Sequence, residues 1–194
     1  MTAFSADDLD LAPLRDRATM LVEAAKRTGA DASDTVVAVS RSTGVEVRNG
    51  KLEETEGAEN AAFTLRVFVG NRAASVSANS TSNPTALAQR CVAMARVAPE
   101  DPYAGLAESQ MLARDVPDLD LYDATEPAFD EMKALALTCE ETALSLKGIT
   151  KSSGASCGLS LGGTVLATST GFVGSYRASR FSLSISVVAG EGDG

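Results

Sequence analysis

The chain has 194 residues, 44% hydrophobic, 22% charged and 5% aromatic, with no Trp and no His. The length fits one large domain or two small ones, and the apolar share argues against global disorder. With 17 basic against 26 acidic residues the net charge is −9, which disfavours phosphate backbones and anionic membranes as partners.

The first periodic segment runs from Pro13 to Thr28. Leu14, Ala18, Leu21, Val22 and Ala25 share one face, which predicts an amphipathic helix. Pro13 suits the first turn and Gly29 the position just past the end. Thr35 to Ser40 is a nearly continuous apolar run, the pattern of a buried strand. Val45 and Val47 then alternate with Glu46 and Arg48. Asn49-Gly50 is a strong hairpin signal, because both turn residues must accept a positive φ. A two-residue loop sets Val47 opposite Leu52 and Glu46 opposite Glu53. The second pair is like-charged, so a bulge or register slip is expected there.

A second hairpin comes next. Phe63, Leu65, Val67 and Val69 share a face, Gly70-Asn71 suits a type II′ turn, and Ala74, Val76 and Ala78 return on the same side. Asn83-Pro84 marks a helix start, with Leu87, Cys91, Met94, Ala95 and Ala98 as its buried stripe and Pro99 closing it. Residues 99–127, rich in Pro and Asp, have little periodicity. A third helix, about Ala128 to Lys147, is expected to bury Met132, Leu135, Ala136, Cys139, Ala143 and Leu146. From Lys151 the period returns to two. Leu159 and Leu161 precede Gly162-Gly163, which resembles a hairpin turn, and Val165 and Leu166 come after it. Phe181, Leu183, Ile185 and Val187 alternate with serines. Ser42-Thr43-Gly44 and Ser169-Thr170-Gly171 both read as places where strands turn.

The expected fold class is α+β: antiparallel β-sheets packed against amphipathic helices, in the order helix–strands–helix, then helix–antiparallel strands. Residues 1–100 read as an N-terminal α+β domain and 101–124 as a Pro/Asp-rich linker. Residues 125–194 read as the start of a second α+β domain, truncated, because one helix and a few strands make a thin core.

The absence of histidine is the strongest constraint on chemistry. Neither a Ser-His-Asp site nor a Cys-His site nor a His-based zinc site can be built from these residues. Gly154-Ala155-Ser156-Cys157-Gly158 matches the G-x-S-x-G elbow, but Leu159 to Gly163 read as strand rather than the helix an elbow needs. The segment is better explained as a Gly/Ser-rich strand start. Cys157 is a candidate thiolate, with Lys151 the only nearby cation in sequence, against the reading of an inert strand residue. Cys91 and Cys139 fall on apolar helix faces and read as core. Three distant cysteines form no disulfide framework or metal cluster.

Asp115, Asp118, Asp120 and Asp123 could supply carboxylates to a hard cation, but the calcium-loop spacing is absent, so an exposed acidic loop is expected. Glu53, Glu54, Glu56 and Glu59 could meet a basic partner, or form a solvated strand edge that discourages unwanted pairing. No P-loop, dinucleotide fingerprint or basic aromatic-bearing stripe is present. The acidic N-terminus lacks the long apolar run of a secretory signal, and no stretch is long enough to span a bilayer. A reduced, cytoplasmic location is expected.

Three segments carry a resemblance to a known family. Ser40 to Gly44 reads S-R-S-T-G and precedes V-R-N-G-K and acidic residues. Leu65 to Gly70 reads L-R-V-F-V-G. Ala98 to Leu106 reads A-P-E-D-P-Y-A-G-L, with P-D-L-D-L-Y-D at Pro117 to Asp123. In this order the chain resembles the N-terminal region of the TldD/PmbA family, in its PmbA branch, also called TldE. The ending F-S-L-S-I-S-V-V-A-G-E-G-D-G resembles the same family, whose members normally continue well past this point.

The resemblance implies a subunit of an intracellular metalloprotease complex involved in peptide processing or degradation, with an unfolded or extended peptide as substrate. It implies a TldD-like partner subunit, or self-association, and zinc in the catalytic partner, whose His/Glu motif lies in a C-terminal half absent here. No catalytic, metal or cofactor-binding residue transfers to any position of this chain. The alternative is a non-proteolytic protein-binding module of the gyrase-modulator type.

Overall fold

In a computed structural model, residues 9–79 and 83–190 are described. The readings of the first eight residues and of the ending at 191–194 lie outside the described residues. The elements are α1 (Ala12–Arg27), β1 (Ala32–Arg48), β2 (Lys51–Val69), β3 (Arg72–Asn79), α2 (Pro84–Val97), α3 (Phe129–Leu144), β4 (Ile149–Thr168) and β5 (Val173–Ala189). All five strands join one antiparallel sheet in the order β3-β2-β1-β4-β5. The fold is α+β, as the pattern of elements predicts.

The strands are longer than their apolar runs. Thr35–Ser40 and Val45–Val47 belong to one 17-residue strand, paired with β2 on one side and β4 on the other. Ser42-Thr43-Gly44 therefore sits mid-strand and does not turn. Gly162-Gly163 is not a hairpin turn either, since both residues lie inside the 20-residue β4 and face Ser40 and Val39. Glycine is needed there for space: a Cβ on Gly163 would stand 2.5 Å from Leu11 Cδ2, beneath the segment that leads into α1. The turn into β5 comes at Ser169-Thr170-Gly171, as expected.

The two hairpins obey their local chemistry. Asn49 and Gly50 have φ of 52° and 70°, the two positive values a type I′ turn demands. Val47 faces Leu52, and a bulge between Glu46 and Val47 shifts Glu46 opposite Glu54 instead of Glu53. Glu53 is freed to meet Arg48 at 3.5 Å. At the second hairpin Gly70 alone has a positive φ, the type II′ pattern. Val67, Leu65 and Phe63 pair with Ala74, Val76 and Ala78.

Odd-numbered residues of β1 and their partners form the packed face. At one end α1 and α2 cover it, burying Leu21, Phe63, Leu65, Val67, Cys91 and Val165 in the main core. Asn83 caps α2 by accepting from the amides of Thr85 and Ala86. Met94, expected in the core, is exposed because α2 turns Ala88 and Val92 inward beside Leu87, Cys91 and Ala95. At the other end α3 packs over Val45, Val47, Ala155 and Cys157 through Met132 and Ala136. Leu135 and Leu146, also expected to be buried, are exposed, Cys139 is half-buried, and Glu140 is 2% exposed. The stripe that faces the sheet is Met132, Ala136, Glu140 and Ala143, whose small members allow close approach.

The Pro/Asp-rich segment after α2 straps the sheet. Its start is tied to the second hairpin, where Asp101 N donates to Asn71 O at 2.7 Å. Leu106 and Leu112 then lie over Val36 and Leu166 on the opposite face. The chain returns at β5, whose Ser179 N donates to Leu121 O at 2.9 Å. Tyr122 packs there against Leu159 and Leu161, with the Arg177 guanidinium 4.7 Å from its ring centroid. Arg41 pairs with Glu126 just before α3.

Candidate functional site

The sheet's second face carries the even-numbered residues of β1 and β4. Along those strands it is built of small side chains: Ser42 and Gly44 on β1, and Ser156, Gly158 and Ser160 on β4. Bulk rises only at the margins. The result is a cleft of about 310 Å³, with Glu46, Glu54 and Glu56 on one wall and Arg180 and Ser182 toward the other. Glu54 lies directly opposite Glu46, and Glu56 opposite Gly44. Strand parity, which places Glu54 and Glu56 on one face and Glu59 on the other, was readable in the sequence. The depth of the cleft was not, because it depends on β4 pairing beside β1.

The G-x-S-x-G segment lies in the straight run of β4, with no turn into a helix. Ser156 Oγ is 2.8 Å from Ser184 Oγ, a hydroxyl neighbour that cannot act as a base. The side chain of Cys157 points the other way, into the core under α3, and is 1% exposed. Burial pushes its thiol pKa up, the opposite of what activates a nucleophile. Burial also raises the Cys91 thiol; its sulfur lies 3.3 Å from Ala74 O.

Two of the strap's aspartates, Asp118 and Asp123, serve their own backbone. Asp118 accepts from Asp120 N at 3.0 Å. Asp123 accepts from Thr125 N at 2.8 Å, and hydrogen bonding to Thr125 lowers its pKa. Among the described residues no group of three His, Cys, Asp or Glu is placed to hold a metal ion. This donor set, without histidine, does not fit zinc.

Glu140 is the polar residue that sequence reasoning missed. Its carboxylate accepts from Asn49 N at 3.0 Å and Gly50 N at 2.8 Å, so α3 caps the turn of the first hairpin. Desolvation raises its pKa, but hydrogen bonds from Ser152, Gly50 and Asn49 together with the Arg48 charge outweigh that cost and leave it lowered. Its place on the helix, three and four residues from apolar neighbours, was the available signal. The amides it answers lie some ninety residues away in sequence.

Comparison with known proteins matches both halves of the sheet to one family. Residues 34–95 match the model for PmbA/TldA metallopeptidase domain 1, and residues 122–194 match that for the PmbA/TldA metallopeptidase central domain. This chain belongs to the PmbA/TldD family. It is 38% identical over 161 residues to the metalloprotease PmbA of Escherichia coli O157:H7, covering 80% of this chain and 36% of that protein. A metalloprotease PmbA homologue of Haemophilus influenzae is 34% identical over 186 residues, covering 93% of this chain and 40% of the relative. The chain thus spans about two fifths of the length of these relatives.

Among solved structures, a protein described as a modulator of DNA gyrase from Bacteroides thetaiotaomicron superposes with a TM-score of 0.82 at 23% identity. That match covers 94% of this chain and 43% of the other. TldE from Thermococcus kodakarensis superposes with a TM-score of 0.69 at 16% identity, covering 89% and 39%. At those identities the likeness establishes the fold. In this chain both matched regions contribute strands to the same sheet, because β1 of the first pairs with β4 of the second. Among the described residues no helix is long and apolar enough to cross a membrane.

Proposed function

We propose that this chain forms the N-terminal part of a PmbA/TldE-type, non-catalytic subunit of a cytoplasmic TldD/PmbA metalloprotease complex that processes or degrades peptides. The observation that supports the proposal is the match of both halves of the sheet to the PmbA/TldA metallopeptidase family models. On this reading zinc chemistry belongs to a TldD-like partner, and these residues serve positioning, since they include no histidine to hold the metal. Its sheet, stiffened by two helix-covered cores, helps frame the chamber in which an extended peptide is held. An added strand is recognised mainly through backbone groups, which suits substrates of broad sequence.

The test is peptidase activity on an unfolded polypeptide, with the protein at the length its gene encodes. It is assayed alone and mixed with a TldD-type protein, with and without a zinc chelator. Cleavage that needs the mixture and is lost on chelation is the expected result. Cleavage by the protein alone would overturn the non-catalytic role.

The gyrase-modulator description of the Bacteroides neighbour favours a second reading, a protein-binding module without proteolysis. No cleavage in any condition would favour it.

A further inference from the structure

We propose that the exposed edge of β2 from Lys51 to Asn60, with the acidic wall of the adjoining cleft, docks an extended, Lys/Arg-rich segment of a partner protein. Three observations carry this. β3 pairs with β2 only from Ala62 onward, so among the described residues positions 51–60 meet a neighbouring strand on the β1 side alone. All of them are exposed, leaving a row of backbone donors and acceptors open to another strand.

The second observation is charge. Glu54 and Glu56 stand two residues apart on the cleft face, and Glu46 stands directly across from Glu54. A like-charge pair placed opposite in a ladder is unfavourable in the free protein. A cationic side chain on a strand added beyond β2 would stand beside Glu54 and offset that repulsion. The third is spacing. Side chains on one face of a strand recur about every 7 Å, so an added strand with basic residues at alternate positions meets Glu54 and Glu56 in register.

Other occupants fit less well. No three acidic groups among the described residues converge on one ion. A second copy of this edge would bring two acidic runs together. Arg180 stands on the far side of the glycine and serine floor, on β5, so the cleft is negative toward the open edge and positive away from it. The basic segment belongs on the β2 side. This docking does not depend on the peptidase reading, since it concerns binding rather than cleavage.

The experiment uses the protein at its encoded length and a fluorescent synthetic peptide of alternating Lys and Thr. Binding is monitored by anisotropy, and amide exchange is measured over residues 51–60. The expected result is saturable binding that weakens with salt, with slowed exchange at those amides. Glu54→Gln with Glu56→Gln should weaken binding about tenfold while leaving the fold intact. The same peptide with alternate amides N-methylated should bind no better than the double variant. Equal affinity of wild type and double variant would overturn the proposal. So would amides 51–60 already protected without peptide, which would mean that the edge is occupied by the protein itself.

Discussion

Replacing Glu140 with Gln tests how α3 is locked to the first hairpin. The carboxylate is nearly fully buried and holds two backbone amides, Asn49 N and Gly50 N. A glutamine keeps one carbonyl oxygen and can satisfy one of them. Its NH₂ group then confronts the second donor, and a buried N–H is left unmet. Hydrogen bonds to a charged group contribute roughly 1.5–3 kcal/mol each, and stranding a buried donor costs about 1–3 kcal/mol. Against this, Gln avoids part of the desolvation cost of a buried charge. The net expectation is a loss of about 2–4 kcal/mol, a large fraction of a domain's stability.

The sign of the pH dependence comes from the lowered pKa in the folded protein. The group's contribution is fully present above the ordinary value of 4.5 and is lost as pH falls through the lower folded value. Denaturant titration of wild type and Glu140→Gln across the acidic to neutral range should therefore show curves that converge below about pH 4.5. Exchange at Asn49 and Gly50 should accelerate in the variant. A variant within about 0.5 kcal/mol of wild type at neutral pH, with unchanged exchange at both amides, would refute this account of the turn.

Val67, fully buried in β2 between β1 and β3, should not tolerate proline. Val67→Pro should abolish cooperative folding, and a soluble variant with a sharp thermal transition would contradict the second hairpin. Gly154 has φ of 121° and a Cβ there would stand 2.8 Å from Glu46 Oε1. Gly154→Ala should therefore cost about 1–3 kcal/mol in denaturant unfolding. Cys91 and Cys157 should resist iodoacetamide in the native protein, while half-buried Cys139 reacts first, as read by peptide mass spectrometry. Ser156→Ala should leave the peptidase activity of the complex unchanged. Loss of that activity with the fold preserved would revive a catalytic role for the G-x-S-x-G segment.

Local chemistry made much of the fold legible. The α1 stripe, the Asn83 cap and the Asn49-Gly50 and Gly70-Asn71 turns are set by residues within a few positions of one another, and the structure keeps them. Family membership was legible for a related reason, since motif order and spacing survive in the linear chain. What failed were judgements that depend on distant partners. Gly162-Gly163 has the composition of a turn, yet pairing with Val39 and Ser40 and the overlying Leu11 keep it within a strand. Leu135 and Leu146 are apolar enough for the core, but α3 turns Glu140 inward because two unmet amides await it there.

The sequence by itself determined the α+β class, the two hairpins, the stripe of α1 and the impossibility of a histidine-based centre within these residues. Periodicity and turn chemistry act over a few residues, so the local order of residues is enough to specify them. Tertiary structure alone decided that both halves share one sheet, that the Pro/Asp-rich segment straps it, and that three glutamates gather beside a floor of glycine and serine. Each of these depends on β1 pairing with β4 across more than a hundred residues. Backbone hydrogen bonding is indifferent to side-chain identity, so no local pattern records such a pairing.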